Sequence, residues 1–142
     1  MLGIIVATHS NLARGLREAV EMIDGPQEHF DVVPFCEGED ITFLAERIRT
    51  IAAAYEEHGE PYVVVTDMFG ATPFNAALAG LSAYNTGILA GANLSMLMEL
   101  VTQRQSCNDY KELLNGAADA ALQNICSVMV RDVFSAGKEE EV

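Results

Sequence analysis

The residues best suited to chemistry fall in three short segments, each following an apolar run. Thr8-His9-Ser10-Asn11 follows Leu2–Ala7, and Gly91-Ala92-Asn93 follows Thr86–Ala90. The longest, Asp67-Met68-Phe69-Gly70-Ala71-Thr72-Pro73-Phe74-Asn75, follows Tyr62–Thr66. A histidine paired with a carboxylate has a definite use. One nitrogen of the neutral ring offers a lone pair as nucleophile. The other keeps its proton and donates it to the carboxylate, which fixes the tautomer and aims the ring. If the nucleophilic nitrogen takes a phosphoryl group, the ring becomes cationic and the carboxylate stabilises that charge. His9 and Asp67 are the candidate pair. Gly70, Ala71 and Thr72 supply the second requirement, because they lead into a helix whose first N–H groups lack internal partners and carry positive partial charge. Such an end cradles phosphoryl oxygens, and the Thr72 hydroxyl adds a further donor.

The elements that position these residues follow from the hydrophobic pattern. Leu2–Ala7 is continuously apolar, as expected of a strand covered on both faces. Leu12, Leu16, Ala19, Val20 and Ile23 recur at helical spacing, and Asp24-Gly25-Pro26 ends that helix. Phe30–Phe35 reads as a second strand. Leu44, Ile48, Ile51 and Tyr55 mark a second helix, closed near Gly59 and Pro61. Tyr62–Thr66 is the clearest strand, β-branched and bounded by turn residues. The next helix is expected to start at Pro73 with Thr72 as its cap. Thr86–Ala90 is a fourth strand, and Asn93 is expected to cap a helix over Leu94–Arg104. Tyr110–Asn124 reads as helix, Cys126–Phe134 as a last strand, and the acidic segment 135–142 as a disordered tail. Strands alternating with helices predict one α/β domain over residues 1–134, with an open, mostly parallel, doubly wound sheet. For the strand order 2-1-3-4, common in this class, strands one and three flank the switch point where ligands bind beyond the strand ends. His9 and Asp67 then face each other there.

Composition excludes several functions. The chain has 21 acidic and 8 basic residues and a formal charge of −13, which disfavours nucleic acid and anionic lipid and favours a basic protein patch. Cys36, Cys107 and Cys126 have neither disulfide-framework nor zinc spacing. Beyond His9 and Asp67 no third metal ligand stands out, so neither a metal nor a cofactor is expected. The segment after Asp67 has no GxxxxGK[ST] loop and no basic residue, so nucleotide binding is unsupported. The start of the chain is too short for a signal peptide, and no apolar run approaches the ~20 residues of a membrane span. A cytoplasmic protein is expected. His29 and His58 read as surface residues, Met96 and Met98 as helix packing, and Arg14 and Arg17 as a solvated face. A lone histidine after a strand is commonly structural, as Asp67 or Gly70–Pro73 alone would be. Their joint placement at matched strand ends is what points to a site.

Three segments also resemble a known family, the EIIA domain of the mannose class of the bacterial phosphoenolpyruvate-dependent sugar phosphotransferase system. They are Ile4–Ser10, Val64–Ala76 and Leu89–Leu97. The resemblance extends in spacing and order to about Ser127. It implies that His9 is the phosphorylated histidine, accepting from phospho-HPr and donating to a separate EIIB protein, with membrane EIIC and EIID components acting further on. It implies that Asp67 is the paired carboxylate and that Thr72 contacts the phosphoryl group. It also implies a homodimer that exchanges a C-terminal antiparallel edge strand, for which Cys126–Phe134 is the candidate. Two positions depart from the family pattern: Ser10 where glycine is frequent, and Ala71 where a second glycine is usual. The Ala71 methyl is expected either to narrow the anion pocket or to require a backbone with negative φ. Two alternatives share these features. One is the related phosphocarrier of dihydroxyacetone kinase, against which the run Gly70–Asn75 speaks. The other is a regulatory or binding module switched by phosphorylation.

Overall fold

The computed structural model describes residues 1–140, with side chains described through residue 135. Four strands, β1 (Gly3–His9), β2 (Phe30–Phe35), β3 (Tyr62–Thr66) and β4 (Gly87–Ala90), form one sheet in the order β2-β1-β3-β4. Every neighbouring pair is parallel. The expected order and the first four expected strands are therefore observed, β2 and β3 to the residue.

Alternation along the strands builds two core layers. Ile4, Val6, Phe30, Val63 and Val65 face one side. There they meet helices α1 (Leu12–Asp24), α4 (Leu94–Gln103) and α5 (Tyr110–Gln123). Ile5, Ala7, Val33, Tyr62 and Val64 face the other side, against α2 (Ile41–Glu57) and α3 (Thr72–Gly80). Because both faces are covered, the strands read as unbroken apolar runs. Helices α2 and α3 approach closely at Gly80, where an added Cβ would lie 2.5 Å from the Ala45 carbonyl oxygen.

The far end of the sheet is tied by a residue the sequence reading did not single out. Arg104 follows α4 and is only 6% exposed. Its guanidinium donates to the carbonyls of Leu2 (3.0 Å), Glu28 (2.7 Å) and His29 (3.1 Å) and to Gln27 Oε1 (3.0 Å). Burial lowers its pKa from the ordinary arginine value. His29, read as a surface residue, is half-buried in this loop at φ +52°. Its Nδ1 lies 3.4 Å from Glu60 Oε2.

The C-terminal expectations are corrected. Cys126–Phe134 forms no strand: 126–129 is irregular, and Val130–Glu140 is a helix, α6. Val130, Val133 and Phe134 recur at i, i+3 and i+4, the helical period, and within one chain this segment pairs with no sheet edge. No antiparallel strand occurs among the described residues. The tail expected to be disordered is helical over 135–140, and its last two residues, 141 and 142, lie outside the described residues. No helix among the described residues is long and apolar enough to cross a membrane.

Candidate functional site

β1 and β3 run side by side with Ala7 opposite Thr66, so the residues just past this register stand together at the carboxyl end of the sheet. His9 closes β1 and Asp67 follows β3. Asp67 Oδ2 accepts two hydrogen bonds from the same residue, one from the His9 backbone N–H at 3.0 Å and one at His9 Nδ1 at 2.8 Å. Asp67 Oδ1 accepts from the Met68 N–H at 3.1 Å, so both carboxylate oxygens are held. An ionised carboxylate can only accept, so Nδ1 carries a proton and, in the neutral ring, Nε2 is left with the lone pair. The Asp67 side chain is 9% exposed while that of His9 is 46% exposed, which buries the acid and leaves the ring open to a partner. The Phe35 ring stands edge-on to the imidazole, with centroids 6.0 Å apart.

The backbone around His9 is set by contacts on both sides. Ser10 donates its N–H to the Phe35 carbonyl at 2.8 Å and adopts φ +51°. That left-handed conformation favours glycine, so a serine here carries backbone strain. Thr8 is fully buried, and its Oγ1 accepts the Ala13 N–H at 2.7 Å. This bond satisfies a donor in the first turn of α1, where Asn11 makes no side-chain cap. Thr8 thereby fixes the turn that carries His9. The sequence contains a signal for this role: a hydroxyl at the last inward position of an otherwise apolar strand.

The segment after Asp67 forms a turn and then a helix end. Ala71 N–H meets the Met68 carbonyl at 3.4 Å, and Gly70 lies at φ +79°. Position i+2 of a type II turn requires that value. Ala71 sits at φ −84° and ψ 177°, so its methyl is accommodated without strain. The cap assignment is corrected: α3 begins at Thr72, Ala71 occupies the N-cap place, and no side chain caps the helix. The shift frees the Thr72 hydroxyl, which makes no hydrogen bond among the described residues. Pro73 has no N–H to leave orphaned. The Thr72 and Phe74 N–H groups are likewise unpaired among the described residues, as an anion-binding helix end requires. Asn75, which the sequence reading placed in this segment without a role, donates from Nδ2 to the Gly70 carbonyl at 3.0 Å. Beside this turn, Phe69 is 82% exposed.

The third segment is structural. Ala92 N–H bonds the Thr66 carbonyl at 3.0 Å, which anchors the loop after β4 to the end of β3. Asn93 caps α4 as expected, accepting from the Met96 N–H at 2.9 Å, and its Nδ2 donates to the Ala121 carbonyl at 3.1 Å. Met96 is buried in the core. Arg17 pairs with Glu21 at 3.5 Å and lies over the Phe30 ring, as a helix-face residue would. Among the described residues no cluster of three or more His, Cys, Asp or Glu side chains could hold a metal ion.

Comparison with known proteins places the chain in a family. Residues 3–118 match the family model described as PTS system fructose IIA component. The chain belongs to this EIIA family. The PTS system fructose-specific EIIA component of Bacillus subtilis (strain 168) is 31% identical over 143 residues, covering 98% of this chain and 96% of that protein. The PTS system mannose-specific EIIAB component of Escherichia coli (strain K12) is 26% identical over 136 residues. That match covers 95% of this chain and 42% of the relative. Among solved structures, the phosphotransferase system component EIIA from Streptococcus agalactiae superimposes with a TM-score of 0.74 at 30% identity, covering 89% of this chain and 97% of that one. The protein is thus an EIIA component of a sugar phosphotransferase system.

Proposed function

We propose that the protein is a phosphohistidine carrier: His9 Nε2 accepts the phosphoryl group of phospho-HPr and passes it to a separate EIIB protein. The observation that carries this reading is the double engagement of Asp67 Oδ2 by His9, through the backbone N–H and through Nδ1. It leaves Nε2 as the nitrogen that can attack.

The transfer follows from that arrangement. The Nε2 lone pair forms a bond to phosphorus as the bond from phosphorus to the HPr histidine breaks. The electron pair of that bond returns to the donor ring. His9 then carries the phosphoryl group and a positive ring, with the Nδ1 proton retained and held by Asp67. Phosphoryl transfer asks mainly for positioning and for stabilisation of charge on the equatorial oxygens. The Thr72 hydroxyl and the unpaired N–H groups of Thr72 and Phe74 are the donors proposed for those oxygens, with Gly70 and Ala71 shaping the loop that presents them. In the second half-reaction a nucleophile on EIIB displaces the His9 ring in the same way. The relatives named for fructose and mannose support a sugar substrate for the system as a whole. In this reading the protein acts in the cytoplasm, and membrane components complete the route.

A homodimer belongs to the same proposal. It is supported by the exposed apolar side chains Ile125, Val128, Met129, Val130, Val133 and Phe134, which a second copy would cover.

Incubation with phospho-HPr is expected to place one acid-labile phosphoryl group on each chain. His9→Ala abolishes the label, while His29→Ala and His58→Ala retain it. Label persisting in His9→Ala would overturn the assignment, and failure of the label to move to any EIIB would favour a regulatory module.

A further inference from the structure

We propose that Asn75 is a positioning residue for phosphoryl transfer, acting through the backbone that carries the Thr72 donors; this rests on the carrier reading of His9.

The Gly70–Ala71 peptide is pinned at both ends. Its N–H side meets the Met68 carbonyl at 3.4 Å, the longest bond of the turn, and its carbonyl accepts from Asn75 Nδ2 at 3.0 Å. Asn75 also donates its own backbone N–H to the Ala71 carbonyl at 3.0 Å, in the first bond of α3. One residue therefore grips two successive carbonyls at the junction between turn and helix. The junction needs such a grip. Gly70 lies at φ +79° with open space where a side chain would be, so no packing restrains it. The helix end has no side-chain cap to define it.

The consequence is electrostatic. Carbonyl oxygens repel phosphoryl oxygens, and N–H groups attract them. A site that works by fixed dipoles must hold its carbonyls turned away and its N–H groups presented before the charge develops. With Asn75 in place, the Gly70 carbonyl is occupied and the Thr72 and Phe74 N–H groups remain free. Without it, the 68–71 turn is left with one long hydrogen bond, and the donors must be ordered during the reaction.

Two variants test this, assayed by single-turnover transfer from phospho-HPr. Asn75→Ala removes the donor, and loss of one hydrogen bond of ordinary strength is expected to slow transfer about fivefold at saturating phospho-HPr. Asn75→Asp keeps the shape but turns an acceptor and a negative charge toward the Gly70 carbonyl, which repels it and opens the turn. It is expected to slow transfer by at least about tenfold, more than alanine does. In Asn75→Ala, which adds no charge, the KM for phospho-HPr, the NMR titration of the His9 ring and the melting temperature stay near those of the unsubstituted chain. Maximal rates within about twofold of the unsubstituted protein for both variants would overturn the proposal, as would a slower rate explained by a lowered melting temperature. If the unsubstituted chain takes no label at all, the carrier reading itself fails.

Discussion

Replacing Asp67 by asparagine removes one negative charge from beneath His9 while keeping nearly the same shape, and its effect can be worked from the geometry. Oδ2 lies 2.8 Å from His9 Nδ1. Coulomb's law at that distance with an effective dielectric of about 20 gives roughly 6 kcal/mol between full charges. His9 is 46% exposed and so well screened by water. Halving the figure on that account leaves about 3 kcal/mol for the fully cationic phosphorylated ring. A transition state carrying about half that charge loses about 1.5 kcal/mol, or roughly tenfold in rate. The amide also cannot satisfy both the His9 donors and the Met68 N–H, so ring aim worsens further. Asp67→Asn is therefore expected to take label from phospho-HPr roughly tenfold more slowly. The equilibrium between phospho-HPr and the phosphorylated protein should shift about a hundredfold toward HPr. Rapid-quench measurement under alkaline conditions, which preserve phosphohistidine, reads both quantities. A rate and an equilibrium each within about twofold of the unsubstituted protein would refute a charge-stabilising role for Asp67.

Two further expectations follow from the fold. Ser10→Gly relieves a left-handed serine and is expected to raise stability by roughly 0.5–1 kcal/mol in urea unfolding, after allowing for the greater freedom of glycine in the unfolded chain; a loss of stability would show that Ser10 is not strained. Tyr55 donates to Asp31 Oδ2 at 2.7 Å, and burial, reinforced by that carboxylate, raises its pKa well above the ordinary tyrosine value. The folded state thus holds the phenol proton more tightly than the unfolded chain does. Its contribution is full below about pH 10 and is lost as pH rises from there toward the folded pKa. Tyr55→Phe should cost about 1 kcal/mol at neutral pH and flatten the alkaline decline, which urea titrations from pH 7 to 11 would check.

The parallel sheet and the His9–Asp67 pair were legible because both depend on local pattern. Unbroken apolar runs such as Leu2–Ala7 and Tyr62–Thr66 mark strands covered on both faces, and the order 2-1-3-4 then brings the residues after strands one and three together. What escaped the reading depends on contacts between distant segments. Arg104 gathers acceptors from Leu2 and from residues 27–29, more than 70 positions away. Thr8 and Asn75 hold the backbone on either side of the site through hydrogen bonds that span five residues each. Threonine favours the cap place, but the helix starts one residue earlier than that preference implies and leaves the Thr72 hydroxyl free. Cys126–Phe134 carries the β-branched composition of a strand and, within one chain, folds as irregular backbone and helix instead.

The function of the site rests on which atom carries the phosphoryl group. Uniformly nitrogen-15-labelled protein, phosphorylated by HPr and examined by proton–nitrogen and phosphorus NMR, identifies that atom directly. The predicted result is a single phosphoryl group on Nε2 of His9, with Nδ1 still protonated against Asp67. A phosphoryl group on Nδ1 of His9, or on any other residue, would contradict it.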